Sequence, residues 1–308
     1  MTSAVVFAYH TVGVRCLSVL LAQGVDVKLV LTHEDNPGEN VWFGSVRNRA
    51  LEHGVPTVAP ADPNAADVLA RVRACDPDFL FSFYYRQILN APLLAAARRG
   101  AYNVHGSLLP KYRGRVPVNW AIINGETETG ATLHAMSEKP DGGDIVDQIA
   151  VPILPDDTAR EVFEKVAVAA EMTLHRSLPA LVAGTAKLTP QDLSKGSYFG
   201  GRRPEDGAID WTRSAREIHN LVRAVTRPYP GAFCDTAAGR LAVWRTLVQN
   251  ESAPGPPTLM VENGGLVARC GDGGLLKVLD AELDGRRLDA ETLNAKHGGT
   301  LALPEGPP

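Results

Sequence analysis

Short apolar runs alternate with amphipathic segments of helical length through the first half of the chain. Residues 4–8 form a continuous apolar run, the pattern of a strand buried on both faces. Residues 12–23 then carry helical periodicity, which stops at Gly24. The succession repeats with strands at 27–31, 57–58, 79–83 and 102–104 and helices at 46–53 and 68–74, the first of these closed by Gly54. This alternation predicts an α/β architecture, a Rossmann-like, mainly parallel sheet with helices on both faces. Residues 132–136 and 145–151 read as two more strands. Thr158 and Glu161 then have capping-box spacing at the head of a long helix that ends near Val182, before Gly184.

The texture changes after Lys187. Residues 196–207 are dense in Gly, Arg and charge and read as a linker or a folded-over loop. A helix is predicted over 214–225. Short strands at 241–247 and 265–268 follow the Pro228-Tyr229-Pro230-Gly231 turn, punctuated by Gly and Pro. The pattern suits a smaller, β-rich second domain. The limits drawn from sequence are 1–190 and 205–303, with 304–308 frayed. There is no internal repeat.

Composition narrows the function. A 308-residue chain that is 44% hydrophobic and 21% charged can bury a sizeable core. Net charge is -4, and from Lys195 onward fourteen Lys and Arg balance fourteen Asp and Glu, which argues against nucleic acid and anionic membranes as partners. The only basic bias in that region lies between Arg202 and Arg227, six Arg against four acids. Cys16, Cys75, Cys234 and Cys270 form no CxxC pair and point to neither zinc nor redox chemistry. The N-terminus lacks a basic segment followed by a cleavable apolar one, and no apolar run approaches the ~20 residues of a spanning helix. A cytoplasmic location is expected.

The chemistry concentrates in Asn103-Val104-His105-Gly106-Ser107-Leu108-Leu109-Pro110 and, some thirty residues later, Glu138-Lys139-Pro140-Asp141-Gly142-Gly143-Asp144. Taken singly, Asn103 is an ordinary turn former, His105 a structural histidine and Asp141 a turn residue. Together an amide, an imidazole and a carboxylate suit acyl transfer to an amine. The amide can hold an oxyanion, the imidazole can carry a proton and the carboxylate can orient the imidazole. The neighbouring apolar loop, punctuated by Pro110 and Gly114 and followed by Lys111, Arg113 and Arg115, fits a wall for a flat ligand with an anionic end. The first strand-to-helix turn has only Gly13, too little for a phosphate-cradling loop.

Residues 103–133 resemble the folate-dependent formyltransferases, in which Asn-x-His-x-Ser-Leu-Leu-Pro precedes an Asp-x-Gly turn. Residues 6–10, 32–39, 81–86 and 199–204 are similar to the formyltransferase domains of the bifunctional polymyxin-resistance proteins, and the likeness extends more distantly to methionyl-tRNA formyltransferase. It covers nearly the whole chain and is weakest after Pro254. With no GxGxxG and an end at Pro308, the chain is expected to be a stand-alone formyltransferase or an isolated domain.

This resemblance implies a formyltransferase fold with an OB-like C-terminal domain and 10-formyltetrahydrofolate as co-substrate, without a metal. The implied acceptor is UDP-4-amino-4-deoxy-L-arabinose, in lipid A modification and polymyxin resistance. Asn103, His105 and Asp141 would be catalytic. Gln87, Ile88, Leu89, Arg115 and the segment Ser137, Glu138, Lys139, Pro140 and Asp141 would bind folate, with Ile88 and Leu89 covering the pterin face. Tyr9, Arg202 and Arg203 are candidates for the sugar nucleotide, the arginines because their forks suit a diphosphate. Methionyl-tRNA or another nucleotide-linked amino sugar is the rival acceptor. Hydrolysis of the folate or non-catalytic folate binding is the rival class. A homo-oligomer or a separate decarboxylase partner is left open.

Overall fold

The computed structural model describes residues 1–38 and 40–306. Glu39, which closes the run begun at Thr32, and Pro307 and Pro308 of the tail lie outside the described residues. The chain forms two compact units. The first comprises Met1–Pro117, Glu128–Pro152 and Phe163–Gly200, and the second Val118–Thr127, Ile153–Val162 and Gly201–Pro308. The limits drawn from sequence were continuous, whereas these units are not. Buried polar groups within the second unit account for its two early segments. Asn119 donates to the Ala224 carbonyl (2.7 Å), His219 Nε2 lies 3.0 Å from the Pro155 carbonyl, and Arg223 donates to the carbonyls of Leu154 (3.3 Å) and Asp157 (3.0 Å).

The elements up to Phe199 are β1 (Ser3–Ala8), α1 (His10–Ala22), β2 (Asp26–Leu31), α2 (Val46–Glu52), β3 (Thr57–Val58), α3 (Ala66–Ala74), β4 (Phe79–Phe83), α4 (Ala91–Leu94), β5 (Ala101–His105), β6 (Arg113–Gly114), α5 (Pro117–Ile123), β7 (Glu128–Ala135), β8 (Ile145–Pro152), α6 (Ala159–Ala183) and β9 (Tyr198–Phe199). The main sheet of the first unit has the order β3-β2-β1-β4-β5-β7-β8. Its first five strands are parallel, and β7 and β8 add on antiparallel. The mainly parallel sheet expected from the strand–helix alternation is therefore present.

Every residue of β1 and β4 is buried, as their continuous apolar runs require. Alternation along β4 sends Leu80 into a cluster with Val5, Phe7, Leu31, Leu89 and Leu93. Phe79, Phe81 and Phe83 stack along the strand, with Phe81 between the other two (centroids 5.8 and 5.6 Å). The head of α6 is capped reciprocally, the Thr158 N–H and hydroxyl donating to Glu161 Oε2 (2.7 Å each) and the Glu161 N–H donating back to Thr158 Oγ1 (3.4 Å).

The second unit contains α7 (Ala215–Val225), β10 (Ala232–Thr236), β11 (Gly239–Ser252), β12 (Thr258–Glu262), β13 (Gly265–Arg269), β14 (Gly274–Leu283), β15 (Arg286–Arg287), α8 (Ala290–His297) and β16 (Thr300–Ala302). Its strands form an antiparallel half-barrel of order β10-β11-β14-β13-β12-β16, with β15 on β14. This is the β-rich domain expected after residue 205. Among the described residues no helix is long and apolar enough to cross a membrane.

Phe81 is fully buried between two aromatic neighbours. Phe81→Ala is therefore expected to lower unfolding stability by about 3–5 kcal/mol, read from the urea midpoint at unchanged slope. A loss below about 1 kcal/mol would show that this side of the sheet is not tightly packed.

Candidate active site

In open parallel sheets, ligands bind beyond the carboxyl ends of the strands, where the strand order reverses. Here that point lies between β1 and β4. The Tyr9 N–H donates to the Phe83 carbonyl (3.0 Å), joining the two strand ends. His10 and Tyr84, just past them, both have positive φ (66° and 56°), so the backbone is held in an unusual conformation at this point. Strand β5 lies next to β4 and ends at His105.

Asn103 and His105, two residues apart on β5, share one face of the sheet. The antiparallel register sets Asn103 opposite His134 and His105 opposite Thr132. Asp141 comes from the connection between β7 and β8. Its Oδ1 stands 3.5 Å from His105 Nδ1 and 3.7 Å from His134 Nε2, and its Oδ2 accepts from the Gly114 N–H (2.9 Å). Gly114 (φ 94°) must be glycine, because a Cβ there would lie 2.2 Å from the Phe199 carbonyl oxygen. Asn103 Nδ2 is 3.0 Å from His134 Nε2. Four side chains are thus linked in the order Asn103, His134, Asp141, His105. The structure brings the anticipated trio together and adds a histidine that the sequence did not single out.

Main-chain carbonyls can only accept, so they fix where the imidazole protons sit. His105 Nε2 lies 2.7 Å from the Tyr112 carbonyl and must donate to it, leaving Nδ1 to face Asp141. His134 Nδ1 lies 2.9 Å from the Ala135 carbonyl and carries its proton there. Burial pushes the His134 pKa down to about 4, against the opposing pull of Asp141, so the ring is neutral near pH 7. Its Nε2 then holds a lone pair, and Asn103 must present its NH2 to it. The Asn103 side chain has no other hydrogen-bond partner among the described residues.

Thr132 anchors the loop that follows β5. Its hydroxyl donates to the Ser107 carbonyl (2.6 Å) and accepts from the Leu109 N–H (3.1 Å) and from Gln148 Nε2 (2.8 Å). Ser107 in turn donates to the Lys111 carbonyl (2.7 Å), which curls the chain back so that the Tyr112 carbonyl reaches His105. The apolar loop seen in the sequence is therefore held by buried hydrogen bonds.

The remaining candidates are placed as follows. Ile88 is 68% exposed, and its carbonyl accepts from Asn64 Nδ2 (2.9 Å). Gln87 is exposed and donates to the Ala61 carbonyl (3.0 Å). The expectation that Leu89 covers a ligand face needs correcting. Its side chain is buried in the core with Leu80 and Leu93, so only its backbone is available to a ligand. Ser137, Glu138, Lys139, Pro140 and Arg115 are exposed, and Ser137 donates to the Lys139 carbonyl (2.9 Å). Tyr9 is buried, donates to Asp35 (2.6 Å) and carries the Arg86 guanidinium over its ring (4.5 Å). It lines a cleft of about 250 Å³ with His33, Asp35, Phe43 and Arg47, to which none of the trio contributes. Arg202 and Arg203 belong to the second unit, where the Arg202 guanidinium covers the Trp120 ring (4.8 Å) and donates to the Asp206 carbonyl. Among the described residues no cluster of His, Cys, Asp or Glu has an arrangement that holds a metal ion.

The fold is similar to that of the N-formyltransferase from Helicobacter canadensis, solved with folinic acid and dTDP-3-aminofucose, at 20% identity, 94% of this chain, 100% of that chain and a TM-score of 0.72. It is also similar to WlaRD, a sugar 3N-formyl transferase solved with dTDP and 5-N-formyl-THF, at 21% identity, 94% and 98% coverage and a TM-score of 0.68. A sugar N-formyltransferase from a Shewanella species matches at 21% identity, 79% and 96% coverage and a TM-score of 0.63. The sequence matches the C-terminal domain of formyl transferases over residues 202–298 and formyl transferase itself over residues 20–178, which is more than half of the chain, and the protein therefore belongs to the formyl transferase family of enzymes.

Proposed function

We propose that the protein transfers a formyl group from 10-formyltetrahydrofolate to the amine of a nucleotide-linked amino sugar, with UDP-4-amino-4-deoxy-L-arabinose as the acceptor. The single observation that carries this reading is the linked set of Asn103, His134, Asp141 and His105 on the carboxyl-end side of the sheet. Relatives of the same fold support it, one solved with folinic acid and dTDP-3-aminofucose and another with 5-N-formyl-THF and dTDP. The particular sugar rests on the resemblance of residues 6–10, 32–39, 81–86 and 199–204.

The residues fit a folate. The exposed apolar Ile88 and the backbone of 87–89 offer one wall, and the exposed polar segment 137–140 leads into Asp141. The formyl-folate supplies an activated one-carbon unit whose nitrogen is the leaving group. The N–H of Asn103 not taken by His134 donates to the carbonyl oxygen as it gains charge while the amine bonds to the formyl carbon. A donor of this kind contributes roughly 3 kcal/mol. His105 accepts the amine proton at Nδ1, since Nε2 is committed to the Tyr112 carbonyl. Asp141 faces the new charge. His105 then delivers the proton to the departing nitrogen as its bond to the formyl carbon breaks.

Purified protein with 10-formyltetrahydrofolate and a panel of amines is the test. UDP-4-amino-4-deoxy-L-arabinose should be formylated with kcat/KM at least about tenfold above dTDP-linked amino sugars, a difference of ~1.4 kcal/mol. Turnover of methionyl-tRNA alone would overturn the sugar acceptor. Formate release without an amine, at the rate of transfer, would indicate a hydrolase. Asn103→Ala and His105→Ala should each lower kcat by about 100-fold or more while folate Kd changes less than about threefold. Wild-type kcat in either variant would contradict its role.

A further inference from the structure

A carboxamide is nearly symmetric in shape but not in chemistry. Rotation of 180° about its last torsion exchanges an NH2 for a carbonyl oxygen at almost no steric cost. In the reaction proposed above, one orientation of Asn103 offers a proton to the growing negative charge and the other offers a repelling oxygen. Something must therefore select between them.

We propose that His134 is the positioning residue that locks Asn103 in its donor orientation. The proposal rests on the formyl-transfer reading for its functional consequence, whereas the pairing itself stands on geometry. The Ala135 carbonyl, 2.9 Å from Nδ1, forces the His134 proton onto that nitrogen. Nε2 is left as an acceptor 3.0 Å from Asn103 Nδ2. A flipped amide would set two lone pairs against each other in a site where the histidine side chain is 2% exposed and water cannot relieve the clash. Asp141 Oδ1, 3.7 Å from Nε2, and His105, beyond that carboxylate, are the charged or titratable groups facing the ring. Burial keeps the ring neutral, which a lone-pair acceptor requires. A protonated ring would donate at Nε2 and favour the opposite, inactive amide.

This role differs from that of His105. His134 moves no proton and touches no reacting atom. It acts through Asn103 alone, and it should be replaceable by any buried acceptor of similar reach.

Three variants test this. His134→Leu keeps the bulk and removes the acceptor. It should lower kcat by about 10- to 100-fold, the effect of misaligning one oxyanion donor, with KM for both substrates within about threefold and the pH–rate profile unchanged in shape. His134→Gln restores an acceptor where Nε2 was and should recover kcat to within about fivefold of wild type. In an Asn103→Ala background, His134→Leu should have almost no further effect, because the two residues act as one unit. Independently of any turnover, the side-chain 1H–15N signals of Asn103 in the ligand-free protein should show one hydrogen-bonded and slowly exchanging proton, lost in His134→Leu and kept in His134→Gln. Equal impairment of Leu and Gln variants with a raised KM and a lowered melting temperature would reduce His134 to a packing role. A lost limb of the pH profile would make it a proton carrier, and additive losses in the double variant would separate it from Asn103. Each of these outcomes overturns the proposal. If the NMR signature is present and no acceptor is formylated, the pairing holds and the formyl-transfer reading fails.

Discussion

The site depends on one register, that of β5 against β7. Side chains on a strand alternate with a period of two, so fixing Asn103 opposite His134 also fixes His105 opposite Thr132. The next pairing, β7 against β8, sets Thr132 opposite Gln148 and brings the Gln148 amide to the same hydroxyl. A slip of one residue would turn Asn103 and His105 to the other face and present Tyr102 and Val104 instead. The alternating pattern of the sheet is thus the first determinant of the chemistry, before any side chain has a partner.

Within that frame the main chain directs the side chains. Carbonyls of Tyr112 and Ala135 hold one nitrogen of each imidazole, and the Gly114 N–H holds one oxygen of Asp141. Because a carbonyl cannot donate and an N–H cannot accept, these contacts assign proton positions as well as geometry. In a site this buried, each assignment is enforced by the cost of leaving a polar group unpaired. The loop from Ser107 to Tyr112 follows the same logic, its turn closed by Thr132, Gln148 and its own serine.

Much of this was legible in the chain. The buried strands announce themselves as apolar runs, and Asn103, His105 and Asp141 sit in motifs whose spacing is local. His134 was not legible, because its relation to Asn103 is a cross-strand pairing 31 residues apart that no local pattern encodes. The burial of the Leu89 side chain, which leaves only its backbone to face a ligand, was hidden for a related reason. An apolar residue beside exposed Ile88 looks like ligand surface until the turn after β4 is seen to send it into the core. In the second unit, β12, β14 and β16 carry half-exposed alternation, and α8 has only Leu293 buried, so neither gave a strong period. The early segments of that unit are fixed by single polar contacts such as Asn119 to Ala224, which composition does not reveal.

In the formyl transfer proposed above, the placement of Asp141 beside His105 bears on the rate. With the His105 proton on Nε2, Nδ1 faces the Asp141 carboxylate 3.5 Å away as an unprotonated nitrogen, so the resting pair has no hydrogen bond to stabilise it. A proton arriving at Nδ1 creates an imidazolium facing a carboxylate, an attraction on the order of a few kcal/mol at the effective dielectric of a partly buried site. Stabilisation that appears only after proton transfer lowers the barrier instead of deepening the ground state. A carboxylate already bonded tightly to the ring would spread its effect over both states and accelerate the reaction less. The Gly114 N–H anchors the other carboxylate oxygen and so holds Asp141 beside His105.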